Sequence, residues 1–172
     1  RQVLRNDLTN LEELNLSWNA LGEAGSAHLS DALRTHPRLS HLSIVGTDCS
    51  PTLLASFLPS CPRLARLDMG HIRLSRGSPP SPSAGLQQLA AALPLCLRLE
   101  RLSLQHCALH PAGAHLLALA LPRCVRLRSL HLQENLIGAQ GATSLARALS
   151  QCSTLTELDV GRNELDGEGG GV

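Results

Sequence analysis

Residues 127–137 read LRSLHLQENLI, and the same phrase returns as LTELDVGRNEL at 155–165, LERLSLQHCAL at 99–109 and LEELNLSWNAL at 11–21. Leu99, Leu127 and Leu155 stand 28 residues apart. Two irregular copies open at Leu39 and Leu64, so the copies begin at Leu11, Leu39, Leu64, Leu99, Leu127 and Leu155. A fixed period of this size marks a solenoid, a body whose units pack only on their neighbours. Such a body is expected to present a long surface suited to binding another macromolecule.

Within one copy the pattern LxxLxL alternates apolar and polar residues, as on a short strand with one buried side. In the fifth copy Leu127, Leu130 and Leu132 are expected to point inward and Ser129, His131 and Gln133 outward. A helix follows, with Leu145 and Leu149 at i, i+4 spacing; Leu29 with Leu33, Leu89 with Leu93 and Leu117 with Leu121 are the equivalent pairs. A strand, a crossover helix and a parallel neighbour together give an α/β solenoid. Its parallel sheet is expected on the concave face and its helices on the convex face, as in a segment of a horseshoe.

The phrase LxxLxLxxNxL, followed by a helix-length stretch such as GAQGATSLARALSQCST, resembles the ribonuclease-inhibitor class of leucine-rich repeats. The resemblance runs over 1–172 as a single array and is strongest to the C-terminal arrays of NOD-like receptors. It implies a non-enzymatic module, ligand-sensing or autoinhibitory, of an innate-immunity receptor. The same class contains the GTPase-activating protein of Ran, ribonuclease inhibitor and tonsoku-like scaffolds, which imply a regulator, an inhibitor or a scaffold instead. Stimulated GTP hydrolysis by a Ran-like GTPase would distinguish the second of these readings.

Composition narrows the classes further. The net charge of +1 gives no sign of nucleic-acid or anionic-membrane binding through bulk charge. All 15 basic residues are Arg, and without Lys a P-loop or a Schiff-base enzyme is excluded. No apolar run reaches the roughly 18 residues of a membrane span, and RQVLRNDLTN at the start lacks a signal peptide's apolar core. Each of the 6 cysteines falls on the repeat lattice: Cys61, Cys96, Cys124 and Cys152 near the helix ends, Cys107 and Cys49 in the bend after the strand. They read as small buried apolar residues of a reduced protein, for which a cytoplasmic location, with a nuclear one as the alternative, is expected. No cofactor and no catalytic set is expected.

Asn19, Asn135 and Asn163 occupy the bend after the strand, where backbone groups need partners, and are expected to form a structural ladder from copy to copy. Thr47 and Cys107 at the same place can do so only in part, and Ile72 cannot. Gly25, Gly113, Gly141 and Gly169 are expected to let each helix approach its strand, and Pro59, Pro94 and Pro122 to stop it. The third copy carries an insertion at 75–83, SRGSPPSPS, where Ser78 and Ser81 precede prolines; a spacer loop is the simpler reading over a phosphorylation site. Beside Ile72 it marks an expected weak joint. Both ends cut a repeat, so a segment of a longer array, prone to fray, is expected.

Three columns of residues should run across the sheet. The first is Glu13, His41, Arg66, Arg101, Ser129, Glu157; the second Asn15, Ser43, Asp68, Ser103, His131, Asp159; the third Trp18, Gly46, His71, His106, Glu134, Arg162. The basic middle, flanked by acidic copies, suggests a protein partner with an acidic element, met by Arg66, Arg101, His41, His131, His71 and His106. A solvated polar face is the plain alternative. Trp18 reads either as a binding hot spot or as a cover for a preceding repeat. His71, His106 and Asp68 sketch a metal site, but two histidines on a wet sheet without further ligands are usually ordinary polar residues.

Overall fold

A computed structural model of the chain describes residues 10–34, 36–74 and 83–165. Strands β1 (Glu13–Asn15), β2 (His41–Ser43), β3 (Arg66–Asp68), β4 (Arg101–Ser103), β5 (Ser129–His131) and β6 (Glu157–Asp159) form one parallel sheet in chain order. The register is unbroken, with Leu14, Leu42, Leu67, Leu102, Leu130 and Leu158 opposite one another. Helices α1 (Gly22–Leu33), α2 (Pro51–Phe57), α3 (Ala84–Ala92), α4 (Pro111–Ala120) and α5 (Gly138–Leu149) each follow one strand. This is the α/β solenoid that the period and the alternation predict.

Leucines from both walls fill one core. Leu42, Leu67, Leu102 and Leu130 come from the strands, Leu33, Leu54, Leu89, Leu117 and Leu145 from the helices, and all are buried. Packing weakens at the last strand, where Leu158 is 41 % exposed, and Leu149 of the last helix is only partly covered. Five cysteines, Cys49, Cys61, Cys96, Cys107 and Cys124, are buried and free, and Cys152 is half-buried. Burial pushes the Cys96 and Cys107 thiols up to about 12 and those of Cys61 and Cys124 up to about 11.

Two local expectations are corrected. Pro59, Pro94 and Pro122 do not stop the winding: each is the second residue of a 3-10 turn, Leu58–Ser60, Leu93–Leu95 or Leu121–Arg123, that continues its helix. The α-helix itself ends before each proline, and at the start of the 3-10 turn the missing N–H has no use and the fixed φ of proline fits. The glycines seat a helix against the preceding helix and bend, not against its own strand. A Cβ at Gly141 would come within 2.9 Å of the Ala114 Cβ and 2.6 Å of Ile137, and one at Gly113 within 2.9 Å of Leu86. Gly169, Ser78 and Ser81 lie outside the described residues.

The bend after each strand is held in several ways. Asn135 Oδ1 accepts the N–H groups of Cys107 and Leu109, both at 3.0 Å, and its Nδ2 donates to the carbonyls of Leu104 and Leu132 at 2.8 and 2.9 Å. The Asn135 N–H donates in turn to Asn163 Oδ1 at 3.1 Å. Asn19 Nδ2 donates to the Leu16 and Ser17 carbonyls. Thr47 donates to Ile44 O at 2.8 Å, while Cys107 Sγ reaches Met69 O at 3.2 Å. Ile72 is buried and packs in the core. Where Thr47 lacks the side-chain amide oxygen of Asn, Asp48 supplies a carboxylate oxygen: its Oδ1 accepts from the N–H groups of Leu21 and Gly22 at 2.7 and 2.8 Å. Across the insertion, Ser83 donates to Leu74 O at 2.6 Å and accepts from Leu86 N at 3.2 Å, capping α3.

Candidate protein-interaction surface

The sheet's outer face bears two columns in strict register, His41 beside Arg66 and Arg66 beside Arg101 in the first, Ser103 beside His131 in the second. Adjacent strands of a sheet lie about 4.8 Å apart, so like charges in one column are near neighbours. These side chains line an open groove of about 660 Å³ that runs from Glu13 across Arg66 and Arg101 to His131.

Much of the positive charge is already answered within the chain. Arg101 donates to Glu157 at 2.9 Å, reaching over the intervening strand β5. Ser129, under this bridge, is only 3 % exposed although it belongs to the outer face. His131 pairs with Glu157 at 3.4 Å and with Ser129 at 2.9 Å. The Ser129 hydroxyl, followed by the Arg101 guanidinium, holds the Glu157 carboxyl below its usual range. At the other end Glu13 lies 3.5 Å from His41, which also meets the Ser40 hydroxyl at 2.7 Å. Arg66, between them, is exposed and forms no ion pair among the described residues.

The third column is not strand but turn. Trp18, His71, His106, Glu134 and Arg162 all have φ between 53° and 62°, and Gly46 has φ 63°. This left-handed conformation costs a non-glycine residue about 1–2 kcal/mol, so the repeat imposes it through its packing. It lifts these side chains into a row along the rim. Trp18, 70 % exposed, lies across Gly46, whose added Cβ would be 2.3 Å from its ring, and ends 5.2 Å from the His71 ring. His71 stacks on His106 at 4.4 Å, His106 pairs with Glu134, and Glu134 pairs with Arg162 at 3.0 Å. Trp18 therefore leans toward the following copies. Among the described residues no group of three or more His, Cys, Asp or Glu is placed to hold a metal ion.

The site thus has two parts. Arg66, Arg101, His41 and His131 share the groove, while Trp18, His71 and His106 form a rim stack. Column order was readable in the chain, but the reach of Arg101 over a whole strand to Glu157 was not.

The family of sequences described as Leucine Rich repeat matches residues 7–25, 124–146 and 151–171. Among solved structures, the tropomodulin C-terminal domain of Caenorhabditis elegans superposes with a TM-score of 0.64 at 16 % identity, over 86 % of this chain and 87 % of that one. No curated protein matches the chain by sequence. The fold is that of a leucine-rich-repeat solenoid, and such repeats indicate a protein-interaction module. No helix among the described residues is long and apolar enough to cross a membrane.

Proposed function

We propose that this leucine-rich-repeat array is a ligand-sensing or autoinhibitory module of the kind carried by NOD-like receptors, and that it holds an acidic element of a protein partner in the sheet groove. The supporting observation is Arg66. Its column neighbours are compensated, His41 by Glu13 and Arg101 by Glu157, and Arg66 is left between them without a carboxylate. A guanidinium held beside another gains from a carboxylate that bridges it with two hydrogen bonds, and such pairing supplies specificity and encounter rate more than bulk affinity. Glu157 then acts as a resident competitor for Arg101.

The test is capture of a labelled glutamate-rich peptide. Arg66→Glu is expected to weaken it at least tenfold, about 1.4 kcal/mol. Reversing Arg34 and Arg147, on the helix side, is expected to change it little. Equal loss from the helix-side pair would mean that the groove is the wrong surface.

A further inference from the structure

We propose that the turns leading into β2, β3, β4 and β5 form a second contact surface, a basic edge tipped with aliphatic residues that docks on an anionic lipid surface. Each turn is closed by the same hydrogen bond: Leu39 N to His36 O, Leu64 N to Cys61 O, Leu99 N to Cys96 O and Leu127 N to Cys124 O, at 3.0–3.3 Å. A bond from residue i+3 back to residue i leaves the two central residues at the tip. Those pairs are Pro37 with Arg38, Pro62 with Arg63, Leu97 with Arg98 and Val125 with Arg126, and all eight residues are exposed. Leu97 is 67 % exposed, Val125 62 %, and Leu95 close by 54 %.

Because the strands stay in register, equivalent tips lie in a row, arginine beside arginine. None of the four guanidinium groups forms an ion pair among the described residues. Glu12 and Glu100 also lie along this edge, one residue after the opening leucines, and neither reaches an arginine of the row. The net charge of +1 conceals this separation of charge onto one edge. The signal stood in the sequence as PRL, PRL, LRL and VRL before four opening strands.

Three features choose the occupant. Four arginines in a row, none of them ion-paired among the described residues, call for an anionic partner with several charges. Exposed Leu95, Leu97 and Val125 beside them fit a surface with an apolar layer beneath its phosphates, where leucine and arginine together are the usual interfacial pair. Backbone groups behind the tips are already spent: Ser40 O accepts from both Ala65 N and Arg66 N, Ala65 O from Glu100 N and Arg101 N, and Glu100 O from Arg128 N and Ser129 N. An extended acidic peptide would find no free strand edge there to pair with. A nucleic acid would find no aromatic platform, since Trp18 stands on the rim and Phe57 is buried.

The test is cosedimentation of the chain with vesicles of phosphatidylcholine containing phosphatidylserine, against phosphatidylcholine alone. Binding is expected only to the mixed vesicles and is expected to weaken with salt. Arg63→Gln with Arg98→Gln should weaken it about 25-fold, roughly 5-fold for each arginine. Leu97→Ser with Val125→Ser should remove the binding that persists in salt. Arg34→Gln with Arg147→Gln should leave it unchanged, and circular-dichroism melts establish that every variant is folded. Failure to sediment with the mixed vesicles, equal sedimentation with the neutral ones, or indifference to the Arg63 and Arg98 changes would overturn the proposal. So would arginine-dependent capture of inositol hexakisphosphate or of a glutamate-rich peptide without vesicle binding, which would assign the row to a soluble phosphate or to an acidic protein.

Discussion

The last two copies and the middle three meet the same need at the bend after the strand by different chemistry. In the last two, Asn135 and Asn163 thread an amide ladder through the stack, each amide satisfying backbone groups of its own copy and of the one before. In the middle three, the bend is filled by Thr47, Ile72 and Cys107, with Asp48 reaching back to take the N–H groups left over. A ladder rung can thus be replaced by a neighbour's carboxylate, by a hydroxyl or thiol, or by bonds within the backbone itself. The repeat needs paired backbone groups, not a particular residue.

The greatest expected break in this comparison comes from alkali. Burial raises the thiol values of Cys61, Cys96, Cys107 and Cys124 from 9.0 to about 11 or 12, so the folded state binds those protons more tightly than the unfolded chain. The stability they contribute is complete below pH 9 and is lost as the pH rises toward 12. Hydrogen exchange should show the copies around Cys96 and Cys107 opening before β6 loses further protection, and uniform opening would show that the thiols do not set the weak region.

Next in size is Asn135→Ala, expected to cost about 3 kcal/mol because it leaves several buried backbone groups unpaired. Chemical denaturation measures it, and an unchanged midpoint would remove the ladder from the account. Gly46→Ala is expected to cost about 1–2 kcal/mol through its left-handed φ, and also to push the Trp18 ring aside. A shift in the fluorescence of this sole tryptophan reads that displacement. Cys107→Asn should lengthen the ladder by one rung and gain about 1 kcal/mol, raising the same denaturation midpoint. Smallest is Glu157→Gln: melting should barely change, while the glutamate-rich peptide should bind more tightly because Arg101 is released.

Strand register, helix faces and column order were legible because leucine spacing alone places them. What the spacing did not reveal depends on side-chain reach. Arg101 passes over Ser129 to Glu157, Trp18 crosses Gly46 toward His71, and Asp48 serves the preceding copy; each spans positions that a column treats as independent. The left-handed turn that sets Trp18, His71 and His106 apart from the strands was also hidden, since these positions carry no glycine to mark it and a bulky Trp rarely adopts it. The arginines at the turn tips were missed for another reason. A net charge of +1 carries no information about position, and the four arginines share a place in the repeat that only the fold turns into a row.

The hydroxyl of Ser83 gives the third copy a property that the others lack. By bonding Leu74 O it fastens the two banks of the insertion to each other and starts the next helix in the same gesture. A change in the number of residues between those banks is therefore expected to leave the lattice on either side in phase. For this solenoid, periodicity belongs to the fastenings and not to the residue count, and the third copy is where an epitope, a fluorophore or a protease site can be written into the chain.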